Sequence, residues 1–309
     1  MISLILAALI GSHAIPGQPF ESLALSWTGA HADVRVRVSV DGVAWSEWIA
    51  VPIDADLTDR DDDRFFSGIM HFGREVRFVE TNVEDAKVTV FALPEKGPRR
   101  VIDDTYQFGP VTVRSRDDWG CPDGEGAPLW TPAYTPVTHA IVHHTAGANS
   151  VPDWAAEVRS IWFFHTYDRG WGDIGYNFLI DPNGVVYEGR AGGSNAIAAH
   201  FSCRNTNTVG VALLGTFTDV APTAAAQASL KQLLAELCRR NALDPTGSAM
   251  HVPSGLMMKR ISGHRDGNDS TLTCSKTECP GDVLYAMLPE IRDAVAMPAA
   301  APRRRAARK

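Results

Sequence analysis

A strict two-residue alternation governs the first third of this chain. In "DVRVRVSVDGVAWSEW" (33–48), Val34, Val36, Val38 and Val40 fall on one side, and Arg35, Arg37 and Ser39 on the other. A helix would scatter those valines around its circumference, whereas a strand gathers them on one face. Asp41-Gly42 then supplies the turn to a following strand. Two more strand-like runs lie near Glu75–Glu80 and Lys87–Leu93. Several short strands separated by polar turns predict a small all-β sandwich over residues 15–97. Trp45 and Trp48 are expected in its core, the other reading being contact with a wall polymer. The acidic stretch 54–64 reads as a solvated loop, since it lacks the regular ligand spacing of a calcium loop.

The period changes after the Pro- and Gly-containing segment "LPEKGPRR" (93–100), and residues 98–112 read as a linker. Beyond it, Ala140–Val142 is a short apolar strand. Ser150 and Asp153 resemble a capping box before Trp154, Val158, Ile161, Trp162 and His165, which recur at helical spacing. "IGYNFLIDPNGVVYEGR" (174–190) reads as a hairpin around Pro-Asn-Gly. Val209–Leu214 is a buried strand. Leu230, Leu233, Leu234, Leu237 and Cys238 mark an amphipathic helix, and Val283–Leu288 opens another. Strands alternating with helices predict an α/β domain over 113–296, a mixed central sheet flanked by helices. Residues 297–309 form a basic tail expected to be disordered.

Charge narrows the partners. The net charge is −7, yet the tail alone carries Arg303, Arg304, Arg305, Arg308 and Lys309, so the body is more acidic than the whole. An acidic body argues against nucleic acid. Nothing after the N-terminal run approaches the ~18–20 apolar residues of a membrane span, and a monomer is expected. Ile2–Gly11 is apolar and Ser12-His13-Ala14 resembles a small-residue cleavage site. Residues 1–14 therefore read as a secretory signal without its usual basic start, placing the protein outside the cell, in the periplasm or at the envelope. The other reading is a buried first strand. Of five cysteines, Cys121, Cys203 and Cys274 are bridge candidates in loops, and Cys238 sits on a helix's apolar side.

The chemistry gathers around "THAIVHHTAG" (138–147), an apolar strand running into His143 and His144. Doubled imidazoles are either loop residues or part of a metal site. "ISGHRDGNDSTLTCSKTECPG" (261–281) offers His264 and Cys279, fifteen residues apart. That is no zinc-finger interval; ligands from distant loops suit an open catalytic site better than a closed structural one.

These segments arrive in a familiar order: "RSRDDWG" (114–120), "THAIVHHTAG", "WFFHTYDRGWGDIGYNFLIDPNGVVYEGR" (162–190), "AAHFSCRNTNTVGVALLGTF" (198–217) and "GHRD…TECPG". Val113–Val295 resembles the peptidoglycan recognition protein family and is similar to the zinc amidases of phage-lysozyme type. The N-terminal β region resembles the sandwich that precedes this domain in some bacterial members. The resemblance implies one zinc ion held by His143, His264 and Cys279, and cleavage of the amide between N-acetylmuramic acid and L-alanine in peptidoglycan. It also implies two catalytic residues: Tyr176 beside the metal, and Thr277, at a position that is Lys or Thr in active relatives, orienting substrate without supplying a positive charge. His144, His165, Arg190, His200 and Asn205 are expected to bind muramyl peptide. Arg190 reads equally as a structural ion pair with Glu188, and His165 equally as a core histidine. The family also contains non-catalytic receptors, which commonly lack the cysteine ligand. Another small peptide amide is a third candidate substrate class. Three departures stand out. The interval between the last two ligands is longer than usual, "AAH" stands for "GAH", and the cysteine pair found after "HHTAG" in many animal members is absent.

Overall fold

The computed structural model describes residues 13–14, 19–29, 33–53, 64–92, 105–121, 131–269 and 276–297. Most of the acidic stretch, the segment 93–104, the basic tail, Cys274 and all but two residues of the expected signal lie outside them. His13–Ala14 (β1) is a two-residue strand.

Two small sheets make up the N-terminal region. One orders β1, β7 (Phe78–Thr81), β3 (Arg35–Ser39) and β4 (Ile49–Ala50). The other pairs β2 (Phe20–Thr28) with β5 (Arg64–Phe66), β6 (Met70–Val76) and β8 (Lys87–Ala92). Alternation works as the residue pattern requires. Val34, Val36 and Val38 are buried with Leu23, Leu25, Trp27, Val79 and Val88 in one core, while Val40 lies past the end of β3 and is exposed. Trp45 and Trp48 depart from expectation. Neither is in that core; the Arg37 guanidinium lies 5.1 and 5.0 Å from their ring centres. They belong to the segment after the turn, where no facing sheet covers them and a cation over the rings does.

The second region is a seven-stranded sheet. Its order is β17 (Ile261–Gly263), β11 (His139–His144), β14 (Thr208–Leu213), β12 (Phe178–Ile180), β13 (Val186–Glu188), β10 (Val111–Arg114) and β9 (Thr105–Phe108). The sheet thus begins at Thr105, inside the segment expected to be linker. β17, β11, β14 and β12 run parallel, and a side hairpin joins β15 (Ser248–His251) to β16 (Leu256–Lys259).

Helices α2 (Ala224–Asn241) and α3 (Asp282–Ala296) cover one face, and α1 (Trp154–Phe163) the other. Leu230, Leu233, Leu234 and Leu237 of α2 are fully buried against Phe178, Ile180, Val211 and Leu213. At roughly 2 kcal/mol per buried side chain this stripe is a main anchor of the layer. The cap of α1 is Asp153 alone, its Oδ1 accepting from the N–H groups of Ala155 and Ala156 at 2.9 and 3.2 Å; Ser150 takes no part in the cap.

The two regions meet on the α1 side. Phe66 and Phe91 stand edge-on to Phe164 and Phe163, each with ring centres 5.9 Å apart. Lys87 Nζ reaches Asp168 Oδ1 at 2.6 Å, and His71 pairs with the Glu157 carboxylate. Gly68 backs onto the turn after His144 so closely that a Cβ there would lie 2.4 Å from the Ala146 carbonyl oxygen. That spacing admits no side chain. Among the described residues no helix is long and apolar enough to cross a membrane.

Candidate metal centre

The pleat of β11 separates the doubled imidazole. Ala140 and Val142 face the α2–α3 core, and His144 shares their parity; Ile141 and His143 point the other way. His143 therefore enters the site, and His144 turns beneath it, its Nδ1 accepting from the Phe217 N–H at 3.4 Å. His264 follows the last residue of β17, a parallel neighbour of β11. Both histidines thus stand at the carboxyl ends of parallel strands, the usual place for a site in such sheets. Cys279 arrives from the loop before α3.

One ligand atom from each of His143, His264 and Cys279 lies within 4.8 Å of the others, and all three residues are buried. Cys279 Sγ is 3.5 Å from His143 Nδ1, and the two histidine rings are 4.7 Å apart centre to centre. Burial, then the neighbouring His264, His200 and His144, pushes the His143 imidazole well below its ordinary pKa. It is therefore neutral at pH 7, the form that binds a metal ion. Two imidazoles and a thiol are a donor set for a soft or borderline divalent cation.

Thr277 and Asn268 hold the cysteine loop in place. Thr277 Oγ1 accepts from the Cys279 N–H at 2.8 Å. Asn268 brackets the Thr277 backbone, accepting from its N–H at 3.0 Å and donating to its carbonyl at 2.9 Å. The long excursion between the last two cluster residues is thus pinched at its base. Tyr176, just before β12, places its ring 5.3 Å from that of His143. It lines a small cleft with Thr145, Ile161, Phe164, His165 and the Ser67–Ile69 corner of the N-terminal region.

The family model described as N-acetylmuramoyl-L-alanine amidase matches residues 133–282. The chain is 32% identical to peptidoglycan-recognition protein SC2 of Drosophila simulans over 177 residues, 57% of this chain and 83% of that protein. The chain belongs to the peptidoglycan-recognition protein family. A Sus scrofa protein named N-acetylmuramoyl-L-alanine amidase is also 32% identical, over 59% of this chain but only 27% of its own length. The solved structure of wild-type Drosophila PGRP-LB is 31% identical, covering 57% of this chain and 91% of that one, with a TM-score of 0.45.

In this peptidoglycan-recognition protein, several residues expected to touch ligand are turned inward. Arg190 is 4% exposed and donates to the carbonyls of Ile174, Trp171 and Asp173 at 2.9, 2.8 and 3.2 Å. Burial lowers its pKa to about 10, opposed by Asp173, so it stays charged while pinning the loop before Tyr176. The hairpin end thus aims the guanidinium at the carbonyls of its own loop, with the Asp173 charge acting on it. His200 is 4% exposed, with Nδ1 2.9 Å from His143 Nε2. It packs behind His143. Asn205 Oδ1 accepts from the N–H groups of His200 and Phe201 at 2.8 and 2.7 Å, shaping the loop. His165 is a buried residue whose Nδ1 accepts from the Gly175 N–H at 2.9 Å, and it packs on Trp171 and Tyr176. Cys121 is a buried thiol near Arg116 rather than a bridge, and Cys238 is in the core as expected. Asn268, Thr208 and the Ser67–Ile69 corner were not anticipated. Only Asn268 carried a signal, since a lengthened loop needs closing at its base.

Proposed function

We propose that this protein is a zinc-dependent amidase that hydrolyses the bond between N-acetylmuramic acid and L-alanine of peptidoglycan. The observation that carries the reading is the convergence of His143, His264 and Cys279, all within the span that matches the family model described as N-acetylmuramoyl-L-alanine amidase. Their donors suit zinc. For tetrahedral zinc with bonds near 2.0–2.1 Å to nitrogen and 2.3 Å to sulfur, adjacent ligand atoms lie about 3.6 Å apart, against 3.5 Å between Cys279 Sγ and His143 Nδ1. The presence of cysteine rather than a non-ligating residue favours enzyme over receptor.

When bound, zinc supplies Lewis acidity, polarising the amide carbonyl and making a water nucleophilic near neutral pH. The chain's own residues do the rest. Tyr176, beside His143, directs its hydroxyl to the carbonyl oxygen as negative charge builds there. Thr277 and Asn268 keep the cysteine loop in one conformation, and Arg190 fixes the segment that carries Tyr176. The Ser67–Ile69 corner closes one side of the cleft against water. Compartment follows from substrate: peptidoglycan lies outside the cytoplasm, and the disulfide-bonded state of Cys203 supports an oxidising environment.

Full-length protein incubated with a muramyl peptide, with and without a chelator, tests the reading by mass spectrometry. Metal-dependent release of the free stem peptide is expected. Tight binding by the zinc-loaded protein with no cleavage would instead establish the receptor, and cleavage indifferent to chelator would remove the metal from the mechanism.

A further inference from the structure

A chain of hydrogen bonds runs backward from the metal cluster into the sheet. His143 Nε2 lies 2.9 Å from His200 Nδ1, His200 Nε2 lies 3.1 Å from Thr208 Oγ1, and Thr208 Oγ1 lies 2.7 Å from the Asn205 carbonyl oxygen. All three side chains are buried. The last link fixes the direction of every other. A carbonyl can only accept, so the Thr208 hydroxyl hydrogen points at Asn205. The hydroxyl oxygen then accepts from His200 Nε2–H. A neutral His200 is left with a lone pair on Nδ1, which accepts from His143 Nε2–H. A neutral His143 then has its only lone pair on Nδ1, the atom that faces Cys279 Sγ.

The ring of His200 has nowhere else to go. It lies on the backbone of β14, where a Cβ at Gly210 would come within 2.4 Å of its Cγ. Asn205 ties the loop at its root, taking the His200 and Phe201 amide hydrogens while its Nδ2 donates to the Ser202 carbonyl at 2.6 Å.

We propose that His200, anchored by Thr208, is a positioning residue: it holds His143 in the Nε2–H tautomer and so presents Nδ1 to the metal. The inference rests on the metal reading above and gives His200 a role distinct from substrate contact. Hydrogen bonds of this kind behind a ligand histidine orient the ring, and their loss typically weakens metal binding about 10–100-fold.

Two measurements on the full chain test it. The first is the ring tautomer of His143, from the nitrogen–proton couplings of isotope-labelled protein without metal. The Nε2–H form is expected; the Nδ1–H form overturns the proposal. The second is zinc affinity, by competition with a chromophoric chelator. His200→Leu should weaken binding by roughly 10–100-fold, and Thr208→Val by a smaller factor. His200→Asn, whose amide oxygen can accept from His143 Nε2–H, should restore most of the loss. Unchanged affinity in both His200→Leu and Thr208→Val, with the native fold retained, overturns it. Should His200→Leu fail to fold, Thr208→Val and the tautomer of the unsubstituted protein still decide. If the unsubstituted protein takes up no zinc, the metal reading fails, and the tautomer measurement judges this inference separately.

Discussion

Each end of β11 contributes one buried histidine that packs against a histidine from elsewhere in the chain, and the two pairs differ in what their nitrogens meet. At the amino end His139 and His251 pack edge to face, ring centres 5.2 Å apart. His139 contacts Thr138 Oγ1 at 2.8 Å and the Ala249 carbonyl at 3.3 Å. His251 contacts Ser254 Oγ at 2.8 Å and the Thr206 carbonyl at 2.9 Å. Every ring nitrogen of that pair has a protein oxygen. At the carboxyl end His143 and His264 are just as close, yet His143 Nδ1 faces a thiol. Burial and ring contact alone do not make a metal centre. What separates the ends is whether the hydrogen-bonding capacity of each ring is used up by oxygens or directed at a second soft donor.

The contrast breaks if the ends respond alike. The largest effect expected is on turnover: Cys279→Ser should abolish metal-dependent amide cleavage while muramyl-peptide binding and the His139 end persist. Hydrolysis at the parental rate by that variant would void the ligand assignment. Next, zinc at about a thousandfold above its Kd should stabilise the fold by about 4 kcal/mol, seen as a rise in melting temperature that Cys279→Ser does not show. An equal rise in both proteins would place the ion elsewhere. Third, His251→Ala should cost about 1–3 kcal/mol by stranding buried partners, with the activity of the folded fraction unchanged; a selective loss of turnover would make the amino-end pair functional.

The most gradual effect is on pH. Burial, then His251, lowers the pKa of His139 to about 4, and His251 and His165 are lowered as well. The unfolded chain takes up these protons below about pH 6.5 and the folded chain does not. Stability should therefore be full above that pH and fall on acidification toward pH 4, by about 1.4 kcal/mol per pH unit for His139. Denaturant midpoints flat from pH 7 to 4.5 in the metal-free protein would contradict the buried neutral state.

Much of this was legible in one dimension. Alternating valines foretold β3, helical leucine spacing foretold α2, and the family resemblance of "VHHTAG", rather than strand position alone, singled out His143 for the cluster. Contacts across the sheet were not. The bond from His200 to His143 spans 57 residues and depends on Gly210 leaving room for a ring. The inward aim of Arg190 depends on carbonyls of an irregular loop, which have no residue signature. Trp45 and Trp48 misled because their size is legible while the sheet edge they occupy is not. The start of the second sheet at Thr105 hid for a similar reason, since edge strands carry little apolar pattern.

The meeting of Gly68 with the Ala146 carbonyl joins the halves of the molecule at the turn two residues beyond His144. The approach is close enough that only a residue without a side chain fits between the N-terminal sheets and the turn that follows the strand bearing His143. A single methyl added there, as in Gly68→Ala, would act as a wedge, and the first thing it would pry open is the mouth beside Tyr176.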